Sequence, residues 1–272
     1  MKLGVVGKGG TGKTTLSTLI ALAYVARGRR VVAVDTDSNP NLALSLGLDQ
    51  AAADTAPLVP RSLVMGYGRG MTPAELLAEY GLATPAGVTL LHAMRVEQAG
   101  SACSCSSHAS VRSLLGAAIE DEADLALVDM EAGLEHLARS GGTLAHADVL
   151  LVVMEPTRKA VLTAARTMAL ARELGIPRLV GVGNKAVLPA DGAFLAEVCA
   201  EYGVPLAGVV PHDPGIGVAE RVGTRVDPPS APVREAVEGI VDVLDSPGAR
   251  RVALLEEKAR IERRLAELTA AG

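Results

Sequence analysis

Gly7-Lys8-Gly9-Gly10-Thr11-Gly12-Lys13-Thr14-Thr15 follows an apolar run, Leu3 to Val6, and opens onto a helical pattern of Leu16, Leu19, Ile20 and Ala23. Strand, glycine loop and helix in that order make a G-x-x-x-x-G-K-S/T match a phosphate-binding P-loop rather than a glycine-rich turn with an accidental Lys-Thr. Glycine lets the backbone turn sharply enough for successive N–H groups to point into one anion-sized hollow. The positive end of the following helix adds to that field. Gly9, Gly10, Thr11, Gly12, Lys13, Thr14 and Thr15 are therefore expected to hold a nucleotide. Lys13 would reach the β and γ phosphates, and the Thr14 hydroxyl would take a place on Mg²⁺.

The chain has 272 residues, 49% hydrophobic but only 2% aromatic, with no Trp and a single Phe194. Its core must be built from Val, Leu, Ile and Ala, which suits a buried parallel sheet covered by helices. Apolar strand patterns recur at Arg30–Val34, Val88–Leu91, Leu125–Val128, Asp148–Met154, Leu179–Gly183 and Leu206–Val210. The expected fold is α/β: a doubly wound, mostly parallel sheet of about seven strands with helices on both faces, in one domain spanning 1–272. Residues 50–87, rich in Ala, Pro and Gly, read as a variable insertion with a short helix at Thr72–Tyr80 introduced by Pro73. Residues 247–272 read as a last helix, with Leu254, Ile261, Leu265 and Leu268 at coiled-coil intervals. Interleaved Glu and Arg and the lack of an aromatic anchor favour packing on the body or a partner over lying on a membrane.

Net charge is −5 and no Lys/Arg run stands out, which argues against a general nucleic-acid surface. No apolar segment approaches the roughly 20 residues that span a bilayer. The sequence enters its first strand without a signal-peptide pattern, and three cysteines do not make a disulfide framework. A cytoplasmic protein with neither membrane nor nucleic acid as a partner is expected.

Ligands of open α/β sheets bind at the carboxyl ends of the strands, and the polar loops of this chain fall there. Asp35-Thr36-Asp37-Ser38-Asn39-Pro40-Asn41 follows the second strand. It reads either as a loop facing the nucleotide or as an Asx-rich turn capping Leu42–Leu46 through Asn41, and the two are compatible. Asp129, ending a strand opposite the P-loop, is at the Walker B position, where it holds Mg²⁺ through water. Asn184-Lys185-Ala186-Val187 places Val187 where guanine-binding N-K-x-D loops carry Asp, so adenine is favoured. Asn184 is the candidate for the base edge, with a strand-end turn residue as the alternative. Cys103 and Cys105 stand one residue apart in Gly100-Ser101-Ala102-Cys103-Ser104-Cys105-Ser106-Ser107-His108. Both sulfurs can turn to one soft metal, but a closed tetrahedral site wants four ligands, which a two-fold copy of the pair would complete. Taken alone, the pair reads equally well as two small buried residues or as a redox pair with unusual spacing.

Lys8, directly after the first glycine, makes the loop resemble the deviant P-loop of the nitrogenase iron protein, MinD/ParA and arsenical-pump ATPase superfamily. That resemblance implies that Lys8 crosses a homodimer interface to the partner's nucleotide. It also implies that Asp37 orients the attacking water, that Asp35 supports the Mg²⁺ shell and that the Gly133 N–H senses the γ-phosphate. Pro211, His212 and Asp213 would border the adenine. K-G-G-T-G-K-T-T, D-T-D-S, C-S-C-S-S-H and Asp129-Met130-Glu131-Ala132-Gly133-Leu134-Glu135-His136 together resemble the CooC-type ATPases, nickel-insertion accessory proteins of carbon monoxide dehydrogenase. The similarity runs over nearly the whole chain. It implies ATP/ADP, Mg²⁺ and Ni²⁺ (or Zn²⁺) as ligands, metal bound by Cys103 and Cys105 across the dimer, and a carbon monoxide dehydrogenase-type client. A MinD/ParA-like spatial regulator without metal is the rival, and the cysteine pair argues against it. A redox ATPase like the nitrogenase iron protein would hold its cluster on two widely separated cysteines, and no second cysteine lies near Gly133.

Lys13→Ala is expected to lower nucleotide affinity on the order of a hundredfold, since it removes the charge nearest the phosphates. Lys8→Ala is expected to keep binding but lose hydrolysis and ATP-dependent dimerisation. Titration with a fluorescent nucleotide, beside a phosphate-release assay, separates the two; equal loss of binding in both variants counts against a role for Lys8 in trans.

Overall fold

The computed structural model describes residues 1–37, 41–60, 71–93, 122–130, 147–225 and 228–246. Strands β1 (Lys2–Gly7), β2 (Val31–Asp35), β3 (Leu82–Ala83), β4 (Thr89–His92), β5 (Leu125–Asp129), β6 (Val149–Met154), β7 (Arg178–Ala186) and β8 (Leu206–Pro211) form one sheet. Their order is β3-β4-β2-β5-β1-β6-β7-β8. Every pairing is parallel except β3 with β4. The expected sheet of about seven strands gains one, because two-residue β3 adds antiparallel to the edge of β4. A segment that short carries no periodicity from which a strand is read.

Helices α1 (Lys13–Ala26), α2 (Leu42–Ser45), α3 (Gln50–Thr55), α4 (Pro73–Tyr80), α5 (Arg158–Glu173), α6 (Asp191–Glu201), α7 (Pro214–Val222) and α8 (Ala231–Asp245) complete the described elements. Alternation along the central strands sends side chains to both faces. Leu125 and Leu127 of β5 join Leu16, Leu19 and Ile20 of α1 and Ile240, Val241 and Leu244 of α8 in one buried cluster. Ala126 and Val128 join Val161, Ala164 and Met168 of α5 and Leu195 and Val198 of α6 in the other. A sheet buried on both faces explains why its strands read as continuous apolar runs. Cys199 lies in the second cluster, and burial pushes its thiol up.

Local signals set the helix ends. Gly28 at φ 71 and Gly175 at φ 76 follow the last turns of α1 and α5, where the chain needs a left-handed residue. Thr72 and Glu75 form a reciprocal capping box at the start of α4, with Pro73 in its first turn. On the opposite side of the sheet, Arg27 ties α1 to α8 by ion pairs to Glu238, Asp242 and Asp245. The short helix α7 has no counterpart among the expected elements. Cys103, Cys105, Gly133 and the helix expected at 251–268 lie outside the described residues. Among the described residues, no helix is long and apolar enough to cross a membrane.

Leu127 is fully buried at the centre of the sheet. Leu127→Ala is expected to cost about 3 kcal/mol, the lost transfer energy plus the cavity left behind. Urea unfolding followed by circular dichroism checks this; a midpoint equal to wild type would mean that the core does not close on β5.

Candidate functional site

β2, β5 and β1 are neighbours, so their carboxyl ends bring the Asp35 loop, Asp129 and the P-loop to one edge of the sheet. The P-loop leaves β1 at Gly7, where a Cβ would come within 2.6 Å of the Val153 carbonyl oxygen on β6. It turns through Gly10 and reaches Gly12, the residue before α1, at φ 85. A side chain at Gly12 would be strained by that φ and would also strike the Asn184 amide. Within the loop, the Lys8 carbonyl accepts from the Thr11 N–H at 3.3 Å and the Thr11 hydroxyl at 2.9 Å. Lys8 itself is exposed, whereas Lys13 is buried.

Two consecutive residues at the end of β7 grip the loop from outside. Asn184 Nδ2 donates to the Thr11 carbonyl at 2.8 Å, and Lys185 Nζ donates to the Gly10 carbonyl at 2.5 Å. With those carbonyls held from outside, N–H groups of the loop other than that of Thr11 can converge on an anion. Lys185 adopts φ 59 and also faces Glu155 at 3.6 Å. The amide of Asn184, the candidate for the base edge, lies on the P-loop backbone. Lys185 was missed as a site residue, although its place beside Asn184 was the available signal. Pro211, His212 and Asp213 follow β8, and the His212 N–H donates to the Ala186 carbonyl at 2.7 Å, so this loop flanks Asn184 and Lys185. Asp213 caps α7, accepting from the Gly215 N–H at 2.8 Å.

Asp129 lies at the centre of the acidic side. Its carboxylate accepts from the Thr14 hydroxyl at 2.6 Å and the Ser17 hydroxyl at 2.9 Å, both on α1. Burial raises Asp129 to about 6 against the lowering by those two hydroxyls and Lys13. Asp35, its partner in the β2–β5 register, is raised to about 7 by burial first and then by Asp129. Asp37 adds to the repulsion on both. Asp35 accepts from the Asp37 N–H and the Leu42 N–H, each at 3.0 Å, and so closes the base of the loop between them. Asn41 precedes α2 as expected, but its side chain makes no cap bond; the Asp35 carboxylate takes the first N–H of the helix instead.

The Asp129 carboxylate beside the Thr14 hydroxyl suits a hard cation. Among the described residues, no group of three or more His, Cys, Asp or Glu side chains could hold a metal ion. Mg²⁺ needs no such cage, since it binds through one or two carboxylates, phosphate oxygens and waters. Thr14 and Asp129 meet that need.

A P-loop, a Walker B aspartate and an acidic loop on a parallel sheet define a nucleotide-binding protein. Residues 5–226 match the model of the CobQ/CobB/MinD/ParA nucleotide binding domain, and the chain belongs to that family. Within it the chain is of the CooC type: it is 36% identical over 237 residues to the carbon monoxide dehydrogenase accessory protein CooC of Rhodospirillum rubrum, covering 82% of this chain and 88% of that protein. It is also 31% identical over 249 residues to an uncharacterized ATP-binding protein of Methanocaldococcus jannaschii, covering 86% and 94%. The fold is similar to that of the septum site-determining protein MinD of Pyrococcus horikoshii, solved with Mg-ADP: TM-score 0.68, 21% identity, 90% of this chain and 96% of that one.

Lys185→Met removes the ammonium on the Gly10 carbonyl but keeps the stem. Nucleotide affinity is expected to fall about tenfold, the loss of one charge-assisted hydrogen bond, with the thermal midpoint nearly unchanged. Calorimetric titration beside a melting curve checks it; unchanged affinity would remove Lys185 from the site.

Proposed function

We propose that this chain is an ATP-hydrolysing metallochaperone that works as a homodimer, carries nickel (or zinc) on Cys103 and Cys105, and assists the maturation of a carbon monoxide dehydrogenase-type metalloenzyme. The observation that carries this reading is the 36% identity to CooC over 82% of the chain. The site geometry supports its nucleotide half. Gly9 to Thr15 hold the phosphates and Lys13 neutralises them; Thr14 and Asp129 would hold Mg²⁺, which would supply positive charge to the phosphate oxygens. Asp37 orients the water that attacks the γ-phosphorus; the bond to the β–γ bridging oxygen breaks, leaving ADP and phosphate. Lys8, exposed on the loop, is free to reach a partner's nucleotide.

The metal half rests on the cysteine pair. Both cysteines follow β4 in the chain. At the strand ends the Ala93 N–H donates to the Asp35 carbonyl at 3.0 Å, and the Thr36 N–H donates to the Asp129 carbonyl at 3.1 Å. The similarity of fold to MinD keeps a nucleotide-switched regulator without metal as the second reading.

Asp37→Asn is expected to bind Mg·ATP and accumulate as a closed dimer with little turnover; near-normal phosphate release would move water activation elsewhere. For the cysteine pair, sedimentation with Ni²⁺ or Zn²⁺ under reducing conditions should show one metal per dimer, with affinity falling on acidification because thiolates must form. Cys103→Ser and Cys105→Ser should each abolish metal-driven dimerisation while leaving Mg·ATP binding intact. Dimerisation of these variants as strong as wild type would favour the regulator.

A further inference from the structure

Thr15, the last residue of the P-loop motif, does not face an empty hollow. Its hydroxyl donates a 2.6 Å hydrogen bond to Glu220 Oε1 on α7. A carboxylate is out of place there. The Lys13 ammonium, the start of α1 and the glycine backbone all collect anions at this loop. A polyphosphate and the Glu220 carboxylate cannot share it without like-charge repulsion.

The helix that carries Glu220 is lightly held. None of its residues is buried, and Val218 and Val222 are 58% and 65% exposed. Ile216, near its start, packs against the core. That start is also fixed by Asp213, whose two oxygens accept from the Gly215 N–H at 2.8 Å and the Ser230 N–H at 3.1 Å. The far end closes at Gly223, φ 70, where the Gly223 and Thr224 N–H groups return to the Glu220 and Ala219 carbonyls, and Glu220 is exposed on this last turn. A cleft of about 310 Å³, lined by Thr14, Thr15, Thr18, Asn41, Glu220 and Thr224 among others, opens between this end and α1. An exposed hydrogen bond across such a cleft is weak enough for a ligand to displace.

We propose that Glu220 is an electrostatic latch: it occupies Thr15, and an incoming nucleoside polyphosphate displaces it and frees the far end of α7. Nucleotide occupancy is thereby signalled on a surface helix, independently of any metal. The latch rests on the nucleotide-binding reading of the P-loop and not on the cysteine pair.

The test uses the full chain as wild type, Glu220→Gln and Glu220→Ala. Calorimetry gives affinities for Mg·ATP and Mg·ADP, and amide hydrogen exchange follows residues 214–222. Both variants should bind about tenfold more tightly, the effect of one like charge removed at short range. Exchange in 214–222 should rise when wild type is saturated with Mg·ATP, and should be high in Glu220→Ala with or without nucleotide. Weaker binding by the variants would mean that Glu220 receives the nucleotide, through its ribose hydroxyls for example, and would overturn the latch. So would unchanged affinity, or exchange that ignores nucleotide. Wild type that fails to bind Mg·ATP would instead sink the P-loop reading beneath it, whereas failure of the latch alone leaves wild-type binding intact.

Discussion

The Asp129 carboxylate is the interaction on which the arrangement of this site depends. It is 2% exposed at the end of a central strand, and it is held by two hydroxyls from the first turns of α1. Burying a carboxylate is expensive unless hydrogen bonds and positive charge compensate for it. Thr14, Ser17 and the field of Lys13 do so here. The same bonds fix the rotation of α1 over the sheet, and with it the direction in which the P-loop presents its N–H groups. A structural requirement, satisfying a buried acid, thus sets a functional geometry, the closeness of Thr14 to Asp129.

Asp35 extends that constraint outward. Fully buried and in register with Asp129, it uses both oxygens on backbone N–H groups of the loop that bears Asp37. The loop is then anchored at both ends to a carboxylate that feels the charge of its neighbours. A cation placed between Thr14 and Asp129 lessens that repulsion, so metal and nucleotide bear on the loop through electrostatics that are already in place.

Much of this was legible in the sequence because it follows from local chemistry. The P-loop announces itself by glycine spacing, the strands by apolar runs, and Asp129 by ending one of those runs. Less legible were contacts that depend on how the sheet juxtaposes distant loops. Asn184 reads in the sequence as a candidate for the base edge or a strand-end turn residue, whereas its grip on the Thr11 carbonyl depends on β7 lying two strands from β1. The Lys185 bond to Gly10 has the same origin. Strand β3 escaped because two residues carry no period. The role of Asp35 as a cap for α2 was hidden because Asn41 stood where a cap residue is expected, and a buried carboxylate nearer the sheet took the bond instead.

The P-loop is held unequally on its different sides. Toward the sheet its contacts are buried: Asn184 is 8% exposed, Ser17 is fully buried, and Asp129 is behind them. Such bonds act in a low dielectric and are costly to break, so this side keeps its shape whether or not a ligand is present. Toward α7 the tie is an exposed hydroxyl–carboxylate pair on a helix with no buried residue. Exposed pairs of this kind contribute little and exchange readily with solvent or ligand. A rigid floor and a loosely held wall divide the work of the site: the floor provides the phosphate geometry, and the wall is the part that ligand charge can move. Conformational response to nucleotide is therefore to be sought first where burial is least, along α7, rather than in the glycine loop that touches the phosphates.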